Sequence, residues 1–198
     1  MFKLEEKIIL TDCDGVLLDW EKAFIDWMTS KGYEKKVNAV YDIDVAFDLP
    51  RNEGKRLVKE FNESAWMGFL PALRDSRSGV AALVEAGYRF VVITSLSTDP
   101  MAKRLRWMNL NDIFGRNVFV DLICLDTGAD KDEALEVYEG TGSWWLEDKS
   151  ENAMLGANIG LRSVLVDHPH NQDVNDSRIK RLGTWKEIAA HIITEDSK

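Results

Sequence analysis

The chain has little cysteine, little proline and no long hydrophobic run, and these scarcities exclude several classes of protein. Its two cysteines, Cys13 and Cys124, form neither a disulfide framework nor a metal-binding spacing, and they suit a reducing compartment. No apolar stretch approaches the length of a membrane span, and the charged start of the chain does not resemble a signal peptide. We therefore expect a soluble cytoplasmic protein that does not bind membranes.

An excess of positive charge is also missing. The 198 residues include 34 acidic and 25 basic side chains, which gives a formal net charge of −9. Because nucleic-acid polymers bind basic surfaces, this balance argues against such a partner. It leaves room for a small anionic substrate held by a metal ion and one or two local cations. The length suits one hydrophobic core with a small inserted subdomain.

Apolar runs that alternate with helical patterns predict an α/β fold. β-branched, apolar segments predict strands at 8–10, 88–94, 118–125, 143–147 and 163–166, with Asp121 as an irregularity in the third. Helical patterns occur at 78–86, from 100 to about 108, and at 130–138, 151–156 and 185–193. Such alternation predicts right-handed βαβ units and a parallel sheet of about five strands, with helices on both faces.

Residues 18–74 differ from the rest because no strand alternation occurs there. Trp20, Phe24 and Trp27 recur at helical spacing, a second helix is expected at about 52–61, and residues 33–50 are less periodic. We interpret this segment as a small helical insert, with residues 1–17 and 75–198 forming the α/β core. The three aromatic side chains are expected to pack within the insert.

The first predicted strand ends in two carboxylates, Asp12 and Asp14, followed by Gly15, which suits a tight turn. Taken alone, this pattern also fits an ordinary turn at the end of a strand. An EF-hand loop fits less well because the glycine stands at the fourth position instead of the sixth. A loop that curls after Asp12 would bring both carboxylates around one small centre.

Three further groups follow strand ends or begin the next helix. They are Thr94-Ser95 after the second strand, Lys131 after the third, and Glu147-Asp148 after the fourth. Each has an ordinary alternative: hydroxyls that bond a turn, a solvated surface lysine, and a pair that caps a helix. Because the carboxyl ends of parallel strands meet at one edge, where ligands bind, the groups together predict a single site.

Such a set of residues suits phosphoryl transfer through an aspartyl-phosphate. A carboxylate that attacks phosphorus divides one difficult displacement into two easier steps. Because carboxylate and phosphate repel each other, positive charge is needed from a lysine and from a hard divalent ion such as Mg²⁺. Hydroxyls and backbone amides bind the remaining oxygens, and a second carboxylate transfers the proton.

These residues in this order resemble the haloacid dehalogenase superfamily of aspartate-nucleophile phosphatases, over nearly the whole chain. The resemblance implies a Rossmann-like three-layer fold, with the first strand between the second and fourth and a helical cap at 18–74. It implies that Asp12 is the nucleophile and Asp14 the general acid/base. It also implies that Thr94 and Lys131 bind the phosphoryl group, and that Asp12, Asp148 and the main-chain carbonyl of Asp14 hold Mg²⁺.

Segments of the tail and the insert resemble, more narrowly, the 5′(3′)-deoxyribonucleotidases. The matching segments are 166–171, 178–179 and 185–188 in the tail, 61–64 to 70–71 in the insert, and 94–95. Two departures are that Glu147 replaces the usual aspartate and that residues 74–78 lack a Pro-Gly turn. The narrower resemblance implies a nucleoside monophosphate as the small phosphorylated substrate, with Ser95 as an added binding residue.

The aromatic side chains of the less regular stretch beside Gly68 are candidates for stacking on a nucleobase. These are Trp66 and Phe69, which we predict to bind substrate. His168 and His170 flank Pro169 in a polar loop, and we interpret them as turn residues in preference to metal ligands. The alternatives to a nucleotidase are a phosphatase for a sugar phosphate or phosphoglycolate, and a non-catalytic binding protein of the same fold.

Overall fold

The computed structural model describes residues 7–38, 40–172 and 175–198. Within these ranges one sheet is formed by the strands β1 (Lys7–Thr11), β2 (Tyr88–Thr94), β3 (Phe119–Cys124), β4 (Trp144–Glu147), β5 (Arg162–Val166) and β6 (Lys180–Leu182). All neighbours are parallel, in the order β3-β2-β1-β4-β5-β6. This arrangement confirms the predicted α/β class and the central position of the first strand.

Eight α-helices accompany the sheet in the described ranges. They are α1 (Trp20–Ser30), α2 (Ile43–Phe47), α3 (Glu53–Asn62), α4 (Ser76–Glu85), α5 (Pro100–Phe114), α6 (Asp132–Glu136), α7 (Ser150–Asn158) and α8 (Trp185–Glu195). None of them is both long and apolar enough to cross a membrane. Local sequence determines where several of the helices begin. Asp99, for example, accepts two amide hydrogen bonds at the first turn of α5, where Pro100 has no N–H that would need an acceptor.

The sheet is buried on both faces, as its continuous apolar strands require. Successive side chains of a strand point to opposite faces. Ile9 of β1 therefore belongs to the larger core, whereas Leu10 packs with Trp145 and Leu135 in a smaller core on the other side. Both residues of β1 are fully buried, so the strand that leads into the two aspartates is packed on both faces.

The structure corrects several element boundaries. The sheet has a sixth strand, β6, which is only three residues long and too basic to show a strand pattern. Helix α2 lies in the stretch predicted to be irregular, and α5 continues beyond the expected end at residue 108 to Phe114, next to Gly115. The irregularity expected at Asp121 is confirmed, because the register between β2 and β3 shifts there.

The segment between β1 and α4 contains helices and two isolated bridges, but no strand, among its described residues. Its own aromatic core confirms the packing predicted for α1. The Trp20 and Phe24 rings stack with centroids 4.6 Å apart, and Phe61 of α3 lies 5.3 Å from Phe24 and 5.4 Å from Trp27. These contacts hold α1 against α3.

The insert leaves and rejoins the sheet at neighbouring positions. Asp19 donates its amide to the Pro71 carbonyl, Leu73 donates to the Leu17 carbonyl, both at 2.9 Å, and residues 18 and 72 form an antiparallel bridge. The two connections therefore run side by side. The interpretation of 18–74 as a cap, with 1–17 and 75–198 as the core, stays a prediction.

Candidate active site

Asp12 lies immediately after β1, at the carboxyl edge of the sheet. Its amide donates to the Leu146 carbonyl of β4 at 2.8 Å, which extends the pairing of the two strands by one residue. Its Oδ1 accepts the Cys13 amide at 2.7 Å, and its Oδ2 lies 2.9 Å from Lys131 Nζ. Burial and the nearby Glu147 carboxylate raise the pKa of Asp12 to about 7, although Lys131 opposes this shift.

Lys131 is not a solvated surface lysine, because its side chain is only 2% exposed. Its Nζ lies between Asp12 and Glu147, 2.7 Å from Glu147 Oε2. Burial lowers the pKa of Lys131, but the attraction of the two carboxylates outweighs burial and raises it above its ordinary value. The lysine therefore stays positively charged at the end of β1.

Glu147 is fully buried at the end of β4, and four donors bind its carboxylate. Oε1 accepts the amides of Asp148 and Lys149, each at 3.0 Å, while Oε2 accepts Lys131 and the Asn152 side chain. This full set of partners fixes the carboxylate, and the carboxylate in turn fixes Lys131. Glu147 thus holds the cation as well as the following turn.

Asp12, Glu147 and Asp148 each offer a carboxylate oxygen within 4.8 Å of the others. Gly15 explains how close the loops after β1 and β4 come. It has a φ of +73°, and a Cβ placed there would lie 2.2 Å from Asp148 Oδ2. Only glycine leaves room for Asp148 beside the first loop. Two of the predicted metal ligands, Asp12 and Asp148, therefore lie in one acidic cluster, and Glu147 joins them.

Asp14 faces a residue that we did not predict, Arg106 of α5. The guanidinium donates to both oxygens of Asp14, with Nη2 3.2 Å from Oδ2, and it is fully buried. Its other neighbours are the Cys13 and Met67 sulfur atoms, at 2.9 and 3.1 Å. Burial raises the pKa of Asp14, and Arg106 acts against that shift.

Thr94 ends β2, the strand that pairs with β1, and Ser95 directly follows it. Thr94 is buried, and its carbonyl accepts the Leu125 amide at 2.9 Å. The Ser95 hydroxyl donates to the Ala129 carbonyl at 2.7 Å, which is the bonding expected of a turn. Phosphoryl binding by these two residues stays a prediction.

Trp66 and Phe69 lie on or beside a 3-10 turn (Ala65–Gly68) that packs on α5, and they are 39% and 76% exposed. The residue of that turn that reaches the Asp14 side is the buried Met67, through Arg106. Nearby, Asn62 of α3 donates to the Leu96 carbonyl at 2.9 Å, so the insert contacts the loop after β2. A role for the two aromatic rings in binding substrate stays a prediction.

The architecture is shared with solved hydrolase structures. CbbY from Rhodobacter sphaeroides in complex with phosphate matches with a TM-score of 0.58 and 17% identity, over 92% of this chain and 96% of that one. D,D-heptose 1,7-bisphosphate phosphatase from B. bronchiseptica, complexed with magnesium and phosphate, gives 0.62 and 14%, over 96% and 99%. A HAD family hydrolase from Deinococcus radiodurans with bound phosphate and sodium gives 0.60 and 18%, over 96% of each chain.

The chain has the haloacid dehalogenase fold. No family model and no curated protein sequence matches it. The structural matches support the broad resemblance and leave the narrower one, to deoxyribonucleotidases, without support.

In this haloacid dehalogenase fold, the acidic cluster has the chemistry of a site for a hard divalent cation. Carboxylate oxygens are the ligands that Mg²⁺ prefers, and it is bound in proteins by one or two of them together with water and substrate oxygens. One buried lysine accompanies three carboxylates, so negative charge is in excess at the edge shared by β1 and β4. The residues present therefore fit Mg²⁺.

Proposed function

We propose that the protein is a Mg²⁺-dependent phosphomonoesterase that acts through an aspartyl-phosphate. The observation that carries this proposal is the buried set of Asp12, Lys131, Glu147 and Asp148 at the carboxyl edge of the sheet. A carboxylate at a strand end, beside a fixed cation and further carboxylates, suits attack on a phosphate ester. The two free cysteines are in keeping with a cytoplasmic location.

Asp12 is the nucleophile in this proposal. Its carboxylate oxygen forms a bond to phosphorus while the bond from phosphorus to the ester oxygen breaks. Lys131 stays charged and stabilises the phosphoryl oxygens, because Glu147 holds it at the end of β1. Water then attacks phosphorus, which releases phosphate and restores the Asp12 carboxylate.

Asp14 transfers the proton in both half-reactions. It protonates the departing ester oxygen and later removes a proton from the attacking water. Arg106 holds both carboxylate oxygens of Asp14, so it sets the direction in which the acid faces. Arg106 is a positioning residue in this scheme because it acts through Asp14.

The groups that would hold Mg²⁺ are the carboxylates of Asp12 and Asp148 and the main-chain carbonyl of Asp14. The Glu147 carboxylate lies in the same cluster. A bound divalent cation supplies positive charge to the phosphoryl oxygens and orients them towards the nucleophile. Thr94 and Ser95, at the end of β2, would bind the remaining oxygens through hydroxyl and backbone donors.

A nucleoside monophosphate is the substrate that we propose, with Trp66 or Phe69 stacking on the base. Both rings have exposed surface and lie on the turn that contacts α5 near Arg106. A phosphorylated sugar is the second candidate, favoured by the fold match to a heptose bisphosphate phosphatase.

A panel of phosphate esters with Mg²⁺ tests these proposals. Nucleoside monophosphates, ribose 5-phosphate and glycolate phosphate are compared in native protein and in W66A and F69A. Stacking of a base contributes about 1–3 kcal/mol, so a preference of about tenfold or more for nucleotides should shrink in one variant. If ribose 5-phosphate is cleaved as efficiently as the nucleotides, the nucleotidase function is ruled out. Phosphate binding without turnover of any ester would instead indicate a binding protein.

A further inference from the structure

A short turn after β5 reaches the same edge of the sheet as the two aspartate loops. It begins at His168 and contains the 3-10 segment Pro169–Asn171. Its side chains do more than form a turn, however. His168 and Asn171 each donate a hydrogen bond to the backbone of a different loop of the acidic cluster.

His168 fastens the loop after β1. Its Nε2 lies 2.7 Å from the Gly15 carbonyl, and because a carbonyl can only accept, Nε2 carries the hydrogen. Gly15 directly follows Asp14, so this bond holds the chain next to the main-chain carbonyl that we propose as a metal ligand. The distance is that of a well-formed hydrogen bond.

Asn171 fastens the loop after β4, and it is only 1% exposed. Its Nδ2 donates to the Asp148 carbonyl at 2.7 Å and to the Val166 carbonyl at 2.8 Å. Its Oδ1 accepts from Arg181 Nη1 at 2.6 Å and from the His168 amide at 3.2 Å. With carbonyls on one side and donors on the other, the amide group can face only one way.

The two loops that His168 and Asn171 bind, after β1 and after β4, lie against each other. The space beside Gly15 is filled by the Asp148 carboxylate, which is why a Cβ there would collide with Oδ2. A small shift of either backbone would therefore change how far Asp148 lies from Asp12 and Asp14. The turn is bonded to both backbones, so it fixes their spacing.

We propose that His168 and Asn171 are positioning residues that set the affinity of the acidic cluster for a divalent cation. The inference rests on the proposed function, in that Asp12 and Asp148 bind the cation. Neither residue touches a reacting atom. Outer partners that orient metal ligands typically contribute 10- to 100-fold to metal affinity, and backbone spacing is the means of orientation here.

Calorimetric titration of the metal-free protein with Mg²⁺ alone tests the inference. H168L removes the donor to Gly15, whereas H168Q keeps an N–H donor at a similar reach. N171D keeps the size of the side chain but removes both donors to carbonyls. His191 lies on α8 against Trp144, with ring centroids 5.4 Å apart, so H191Q is the matched control.

We expect the Kd for Mg²⁺ to rise about 10- to 100-fold in H168L and N171D, and to stay near native in H168Q and H191Q. Melting curves of the metal-free variants show which are folded at the titration temperature, and either donor-deleted variant suffices for the comparison. If a folded H168L or N171D binds Mg²⁺ as tightly as the native protein, the inference is wrong while the proposed function stands. A native protein that binds no Mg²⁺ overturns both.

Discussion

Two buried cations face the two aspartates at the end of β1, and they are held in different ways. Lys131 lies between Asp12 and Glu147, within 2.9 Å of both, in a cluster that also contains Asp148. Arg106 pairs with Asp14, and its other hydrogen-bond partners among the described residues are the sulfur atoms of Cys13 and Met67. One side of the site thus has an excess of carboxylates, and the other is a balanced pair.

The difference indicates separate tasks for the two sides. An excess of negative charge around Lys131 leaves a place for a further cation, and the lysine itself is a compact point charge that suits a phosphate oxygen. Arg106 instead presents a planar fork that matches the geometry of one carboxylate. We therefore expect the Lys131 side to bind and activate the phosphoryl group, and the Arg106 side to orient the proton donor.

Loss of Asp12, the nucleophile that we propose, should have the largest effect on activity. Asp12→Asn leaves no oxygen that can form the acyl-phosphate, and turnover of phosphate esters should fall by about 10⁴-fold or more. Turnover in the presence of Mg²⁺ is the measurement, and circular dichroism shows whether the variant is folded. Asp112→Asn, an exposed change on α5, is the control. Near-native turnover in D12N would rule out an aspartyl-phosphate on this residue.

Lys131→Met removes the cation that two carboxylates share. Turnover should fall about 10²–10³-fold because the phosphoryl oxygens lose fixed positive charge. A surface lysine at a helix start could be removed at no cost in stability, but Lys131 is buried, so its loss leaves carboxylates unpaired. The free energy of unfolding should therefore drop by about 3–5 kcal/mol. Urea unfolding measures this, with exposed Lys186→Met as the control. Unchanged stability would contradict the buried pairing.

Arg106→Met should have a smaller effect on turnover, about 10- to 100-fold, because the proton donor is misplaced and not lost. A double-mutant cycle with Asp14→Asn tests whether Arg106 acts through Asp14. If Arg106 acts through Asp14, R106M should reduce turnover much less in a D14N background than in the native protein. Additive losses would mean that Arg106 has a separate role in the site. Arg104→Met, an exposed change on the same helix, is the control.

The smallest effect is a pH dependence on the Lys131 side. Folding raises the pKa of Asp12 from 3.8 to about 7, mainly through burial. The folded metal-free protein therefore keeps a proton that the unfolded chain has released. Its free energy of unfolding should fall as the pH rises from about 4 to about 7. Melting temperatures across this range should fall less steeply in D12N, which lacks the group. Identical slopes would assign the dependence to other residues.

Much of the sheet and the Lys131 side could be predicted because the signals are local. Each of β1, β2 and β4 is a run of apolar residues that ends in a polar one, so Asp12, Thr94 and Glu147 could be placed at one edge. β6 could not be predicted, since three partly exposed residues carry no pattern. The burial of Lys131 could not be predicted from the sequence either, because it depends on Glu147 at the end of β4.

The pairing of Arg106 with Asp14 was not predicted, although the sequence contains a pattern that indicates a buried arginine. Ala102, Arg106 and Leu110 recur every four residues, so the arginine stands on the buried face of α5. A charge within an apolar stripe is a sign of a buried partner. Asn171 left no such trace, because its bonds to Asp148 and Arg181 join it to segments that are distant in the chain.

The two chain connections of the insert pair with each other at Leu18 and Ala72, so the insert could be replaced by another segment. Because entry and exit lie side by side, a replacement segment has to match only one short gap, whatever its length. Descendants of this chain could acquire a different insert without disturbing the register of β1 and β4. If the insert selects the leaving group, as we propose, substrate preference could then change while the residues at the ends of β1 and β4 stay the same.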